Sequence, residues 1–357
     1  MHGFITYKDA KRQLAVPGQP VVDPAGWDPD ELRDVDRWSY YFTDSDRREI
    51  FSAIKHVTNH GISIANVCRE NFPLEGLASL LEDSRLELAE GRGVVRWRDY
   101  PVDSLSREHA IIGYLGLSSY LGTIEPQNKN GHLIGHVKNF RNEATVDDQR
   151  GYQSYIGSSF HVDSTDLVGL LCLHEARSGG ESRLASSVTI YNRLLAERPD
   201  LVEALMMDFY KTRYGEEMTG EAPFYKSPMI SFSDGYFSAL GYSTGFDAAQ
   251  GLPGVPSMTA KQIEVKPVYL RIVEECSLDM PFRKGDIQFL NNNVTVHARH
   301  GFSDWPELNR RRHLLRIWLN DRTCRPLPET RLERRNRAAH IKGVEFSVPL
   351  DVSEAVL

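Results

Sequence analysis

Cysteine is scarce in this chain and scattered. Four residues, Cys68, Cys172, Cys276 and Cys324, are spread over 357 positions with no C-x-x-C pair. That spacing suits neither a thiolate zinc site nor a disulfide framework, so reduced intracellular thiols are the default. Long apolar runs are missing too. No stretch approaches the ~20 residues of a membrane span, and the start, MHGFITYKDAKRQLAV, lacks the apolar core of a signal peptide. The final SEAVL matches no retention or peroxisomal tag, which makes the cytoplasm the expected location. Positive charge is thin: the formal net charge is −7 and the densest basic stretches, Arg310-Arg311-Arg312 and Arg331 to Arg337, are short. Phosphate backbones need clustered Lys and Arg, so nucleic acid is excluded as the main partner. Repeats and low-complexity linkers are absent as well.

What is present divides by texture. Residues 1–90 lean helical and read as a cover. "TDSDRREIFSAIKHV" opens with Thr43 and Asp46 in capping-box spacing, followed by Ile50, Ile54 and Val57 on one face. "FPLEGLASLLEDSRLELAEGRG" predicts a second helix closed by Gly91 or Gly93. "GVVRWRDYPV" predicts a strand stopped by Pro101, and "SLSREHAIIGYLGLSSYLG" another helix. From about 135 to 320 short strands alternate with turns, interrupted by one helical stretch at about 188–212 in which Pro199 starts a second helix. Many short strands without strand–helix alternation predict an α+β chain with a mainly β core, a sandwich or barrel with helical cover and insert. Residues 91–327 are then the catalytic-size core and 328–357 a tail, all within one functional domain.

"SSFHVDSTDLVGLLCLHEA", residues 158–176, places His161 and Asp163 on either side of one valine. Residues two apart on a strand share a face, so both can converge on one ion. A pair alone does not specify a metal, and the best third ligand is His297, late in the strand-like "NNNVTVHARHGF". Two imidazoles, one carboxylate and no thiolate form the facial triad of non-haem Fe(II) oxygenases, which leaves positions open for cosubstrate and dioxygen. Other histidines are weaker candidates. His56 and His60, like His132 and His136, have helical ligand spacing without the glutamate of H-E-x-x-H. His300 falls on the opposite strand face from His297, and His174 and His313 lack partners.

Arg312 and Arg316 in "RRRHLLRIWLN" are four apart on a strand and share a face. Two guanidiniums in an apolar strand need anions, because an unpaired buried charge is expensive. Arginine also grips carboxylates through two parallel hydrogen bonds. The pair therefore predicts two carboxylates near the metal. A metal-dependent hydrolase using the H-x-D centre, and a non-catalytic jelly-roll binding protein, are the competing classes. Neither accounts for these arginines together with the late His297.

HVD, "SGGESRLASS", "GDIQFLNNNVTVHAR" and "RRHLLRIWL", in consistent order from about residue 90 to 327, resemble the taurine dioxygenase superfamily (TauD/TfdA). "HVDSTDLVGLLCL" and "RPLPE" look most like its fungal members. The resemblance implies a double-stranded β-helix, a jelly roll, with Fe(II) held by His161, Asp163 and His297. It implies that Ser182, at the Thr position of the family's G-G-D-T, and Arg312 bind the distal carboxylate of 2-oxoglutarate. The three consecutive arginines leave a register alternative at Arg311, which parity with Arg316 disfavours. Arg316 matches the position that grips the substrate's acid group. The implied reaction consumes O2 and 2-oxoglutarate, releases succinate and CO2, and oxidises an unactivated C–H of a small acid, with an amino acid the first choice. Hydroxylation is the default outcome, and oxidative cyclisation such as aziridine formation the variant expected in secondary metabolism. Phe140, Tyr155 and Phe160 are candidate pocket aromatics. In the tail, "HIKGVEFSVPL" alternates apolar and polar, and Val344 and Phe346 are expected to fold over the pocket mouth.

Overall fold

The structure, a computed structural model, describes residues 6–8, 11–128, 130–139, 156–215, 217, 220–321, 324–329, 331 and 344–351. Two sheets form its centre. The larger runs Ser39–Tyr41, Val94–Arg98, Ile287–Asn291, Leu167–His174, His313–Asn320 and Thr123–Glu125, with Ile134–Lys138 also paired to His313–Asn320. The smaller runs Ser277–Met280, Ser182–Ser186, Thr295–Arg299 and Ser158–His161. Pairing is antiparallel throughout both except where Ser39–Tyr41 lies parallel to Val94–Arg98. This is the jelly-roll arrangement, with the cavity described below opening between the sheets.

Period-two alternation explains the layers. Along His313–Asn320, Leu315, Ile317 and Leu319 face helices Asp44–Asn59, Ala78–Ala89 and Arg107–Ser118 in one core. Leu314, Arg316 and Trp318, on the other face, line the cavity. Between the sheets, Val94, Val168 and Leu290 of the larger meet Leu184, Leu278 and Met280 of the smaller. Beyond the smaller sheet, Ala185, Val296 and Ala298 pack on helices Ser187–Glu197, Val202–Met206 and Ala260–Glu275. Strands covered on both faces read as nearly continuous apolar runs, as "LVGLLCL" does.

The 43–57 expectation holds in detail: Thr43 and Asp46 form a reciprocal capping box and Ile50, Ile54 and Val57 are buried. Pro199 begins a 3-10 turn, Pro199–Leu201, leading into Val202–Met206. Helicity ends there, since Phe209–Thr212 is a strand. The segment expected to be a purely helical cover also supplies Ser39–Tyr41 to the sheet edge, beside which Phe42 packs against Trp97. One expectation needs correcting: the 135–320 region holds more than one helical stretch. Ala260–Glu275 is a 16-residue helix opened by a capping box between Thr259 and Gln262. Pro267 in its interior masks it, because proline removes a helical hydrogen bond. Among the described residues no helix is long and apolar enough to cross a membrane.

Candidate active site between the two sheets

His161 closes the strand Ser158–His161 and faces His297 directly across an antiparallel pair, their rings 4.4 Å apart. Asp163 is not on the strand. It lies two residues past the strand's end, so a turn and not strand parity brings its carboxylate in. The three side chains offer ligand atoms that all lie within 4.8 Å of one another. His161 Nδ1 is 2.8 Å from the Ser159 carbonyl, which fixes its proton there and leaves Nε2 as the lone pair. Burial, reinforced by the neighbouring His161, pushes the His297 imidazole down to about 3. Burial also pulls His161 down. Asp163 is pushed up by burial but more strongly down by Arg316 and the two imidazoles, and ends below the ordinary range. The result is two neutral imidazoles and an ionised carboxylate. Among the described residues the buried Asp163 Oδ2 has no hydrogen-bond partner. That donor set fits Fe(II).

Arg316 reaches the same carboxylate, with Nη1 3.2 Å from Asp163 Oδ1. Its Nε donates to Gln127 Oε1 at 2.8 Å, while Gln127 Nε2 donates back to the Arg316 carbonyl at 2.7 Å. The guanidinium is thus clamped from its own backbone outward. Arg312 lies on the same side, just before the strand, and is 4 % exposed. Its backbone N–H donates to Asp304 at 2.7 Å and its Nη2 to the Gly180 carbonyl at 3.3 Å. Nη1 is buried without a partner among the described residues. Burial first, then the neighbouring Arg299, pushes this guanidinium down to about 10. A cation this desolvated needs an anion, and none of the described carboxylates makes an ion pair with it. Gly180 makes room for it: its φ is +79°, and a Cβ there would come 2.9 Å from Arg312 Nε. Ser182, buried on strand Ser182–Ser186 of the smaller sheet opposite Arg299, lines the same cavity.

That cavity measures about 490 Å³ and gathers His161, Asp163, His297, Ser182, Arg312 and Arg316. Phe160 also borders it while packing in the core beyond the smaller sheet; Phe140 and Tyr155 lie outside the described residues. The tail expectation is corrected. Phe346 is 42 % exposed and borders a different cleft, with Arg69 and Tyr120. Val344 sits against Gly131, and Ser347 pairs with the 131–133 segment. Val348 and Leu350 pack on the helical side of the larger sheet, away from the metal ligands.

His132, His136, His300 and His313 have partners away from the metal-capable cluster. His300 Nε2 lies 3.0 Å from Asp279 near the surface. His136 and His313 contact each other at 2.8 Å. His132 and His136 are on or beside a strand, so their helical spacing was accidental. Arg299, Gln127 and Trp318 were missed as cavity residues. Period two from His297 and from Arg316 finds Arg299 and Trp318; nothing local marks Gln127.

Residues 53–318 match the family described as taurine catabolism dioxygenase TauD, TfdA. The chain is 30 % identical over 324 residues to FR-33289 synthase of Streptomyces rubellomurinus, covering 87 % of this chain and 93 % of that one. It is 28 % identical to the taurine hydroxylase-like protein SAT17 of Stachybotrys chartarum, covering 88 % and 83 %. Its fold is similar to that of asparagine oxygenase solved with Fe(II), 3-hydroxyasparagine and succinate (TM-score 0.61, 17 % identity, 79 % of this chain and 93 % of that one). It is similar also to the non-haem iron oxygenase OrfP with Fe and α-ketoglutaric acid (TM-score 0.59, 17 % identity, 79 % and 94 %). The jelly roll, the metal-capable cluster sharing a cavity with Arg312 and Arg316 and the match over most of its length agree: the chain belongs to the TauD/TfdA family of non-haem Fe(II)- and 2-oxoglutarate-dependent oxygenases.

Proposed function

We propose that this enzyme oxidises an unactivated C–H of a small amino acid, by hydroxylation or oxidative cyclisation, in secondary metabolism. In this reading His161, Asp163 and His297 hold Fe(II), Ser182 and Arg312 hold the distal carboxylate of 2-oxoglutarate, and Arg316 takes the substrate's acid group. Bound Fe(II) and 2-oxoglutarate supply the oxidising power from dioxygen while 2-oxoglutarate is converted to succinate and CO2. The protein's part is placement. Arg312 and Ser182 fix the cosubstrate from one side, and the Gln127–Arg316 clamp presents a cation beside Asp163, so an acid group bound there is anchored next to the metal.

The observation that carries the reading is charge. Among the described residues no carboxylate makes an ion pair with Arg312, so the cosubstrate acid supplies its counter-charge, while Arg316, in contact with Asp163, offers a cation beside the metal ligands for the substrate acid. Relatives support an amino acid: asparagine oxygenase was solved with a hydroxylated asparagine, and OrfP with L-Arg. The test is succinate release by the Fe(II)-loaded enzyme across a panel of L-amino acids and their decarboxylated amines. At least one amino acid should stimulate release well above the uncoupled rate, and its amine should not. Equal stimulation by the amine refutes the acid-anchoring role of Arg316.

A further inference from the structure

The two metal-facing histidines come from a hydrogen-bonded ladder, but the carboxylate does not. Strand Ser158–His161 has ended before Asp163, so ladder register cannot set where the aspartate backbone lies. Asn292, in the turn between Ile287–Asn291 and Thr295–Arg299, fills that role. Its Oδ1 accepts from the Asp163 N–H at 3.2 Å, and its Nδ2 donates to the Thr165 carbonyl at 3.1 Å. Its own backbone N–H donates to the Asp166 carbonyl at 2.8 Å. One side-chain partner is an N–H and the other a carbonyl, so only one amide orientation satisfies both. Asn292 is 2 % exposed, so water competes little for these bonds.

We propose that Asn292 is a positioning residue for the metal carboxylate, stapling residues 163–166 so that Asp163 meets the two histidines. The inference rests on the metal-centre reading above and adds the element that fixes its third ligand. Neighbouring Asn293 provides the contrast. Its Nδ2 donates to Asp166 Oδ1 at 3.4 Å, bracing the same turn without touching Asp163. Partners that orient a metal ligand typically govern 10- to 100-fold in metal affinity.

The experiment is anaerobic titration of the full-length protein with Co(II), followed by its visible d–d absorption, at a temperature below every variant's melting transition. Asn292→Ala should raise the Co(II) Kd by about 10- to 100-fold and alter the band shape, while Asn293→Ala binds as the wild type does. Asn292→Leu, which fills the amide's volume without a polar group, replaces the alanine variant if that one does not fold, with the same weakening expected. Wild-type affinity and spectrum in the Asn292 variant overturn the proposal. So does an equal loss in Asn293→Ala, which reduces Asn292 to general bracing. A wild-type protein that binds no Co(II) overturns the metal-centre reading itself and this inference with it, and is told apart because the defect precedes any substitution.

Discussion

Arg312→Ala separates affinity from stability, because the two should move in opposite directions. The wild-type guanidinium is 4 % exposed, and its Nη1 has no partner among the described residues. Before cosubstrate binds, it is a desolvated cation that also feels the positive charge of Arg299. Removing it takes away that unfavourable charge, so the apo protein should melt no lower than the wild type and by this argument higher. Binding is the reverse. A 2-oxoglutarate carboxylate buried opposite alanine loses its charge partner, which costs roughly 3–5 kcal/mol, or about two to four decades in Kd. Arg312→Lys keeps charge but not the planar two-point grip, so it should recover only part of the loss. Calorimetric titration of 2-oxoglutarate into oxygen-free, Mn(II)-loaded protein measures the affinity, and calorimetric melting of the apo forms measures stability. An alanine variant that melts several degrees lower yet binds 2-oxoglutarate normally would refute the reasoning, making Arg312 a structural residue.

Three further outcomes follow from neighbouring contacts. Gly180→Ala forces a Cβ to 2.9 Å from Arg312 Nε at a φ of +79°, so it should weaken 2-oxoglutarate in the same titration while leaving Co(II) binding unchanged; loss of Co(II) binding as well would place the damage elsewhere. Ser182→Ala removes one hydrogen bond to a charged group, about 1.5–3 kcal/mol, and should raise the 2-oxoglutarate KM by roughly one to two decades, with Ser182→Thr near wild type; an unchanged KM in the alanine variant removes Ser182 from the cosubstrate site. The third concerns acid. Arg107 Nη1 lies 3.1 Å from His313 Nδ1 and can only donate, so His313 Nε2 carries the proton toward His136 Nδ1, and His136 Nε2 donates to the Pro349 carbonyl. Burial pushes both imidazoles down, His313 most strongly. The unfolded chain therefore binds protons that the folded chain refuses once pH falls below the ordinary 6.5. Stability contributed by each group's neutrality is lost at about 1.4 kcal/mol per pH unit below that point. His313→Gln should flatten the fall in urea midpoint between pH 7 and 5 by at least one group's worth, and an unchanged slope contradicts the neutral-dyad assignment.

Local pattern carried much of this molecule. The 43–57 helix was legible because its capping box and apolar stripe lie within one element. His297, Arg312 and Arg316 were legible because period two and charge constrain them together. Where long-range geometry decides, the pattern failed. Asp163 looked strand-borne, yet a turn held by an asparagine 129 residues away aims it. Gln127 reaches Arg316 from a loop 189 residues distant, with no sequence signal. The tail's alternation was real but gave no direction, and it docks beside residues 131–133 instead of over the pocket. Ala260–Glu275 hid behind Pro267, although its own capping box was available to be read.

In the proposed reading His161, Asp163 and His297 bind the iron that chelates 2-oxoglutarate. The most direct test of that reading is the visible absorption of the anaerobic protein on adding Fe(II) and then 2-oxoglutarate, in the wild type, His297→Ala and His300→Ala. A metal-to-ligand charge-transfer band is expected in the wild type and in His300→Ala, and none in His297→Ala. A band that survives in His297→Ala and vanishes in His300→Ala would contradict that reading.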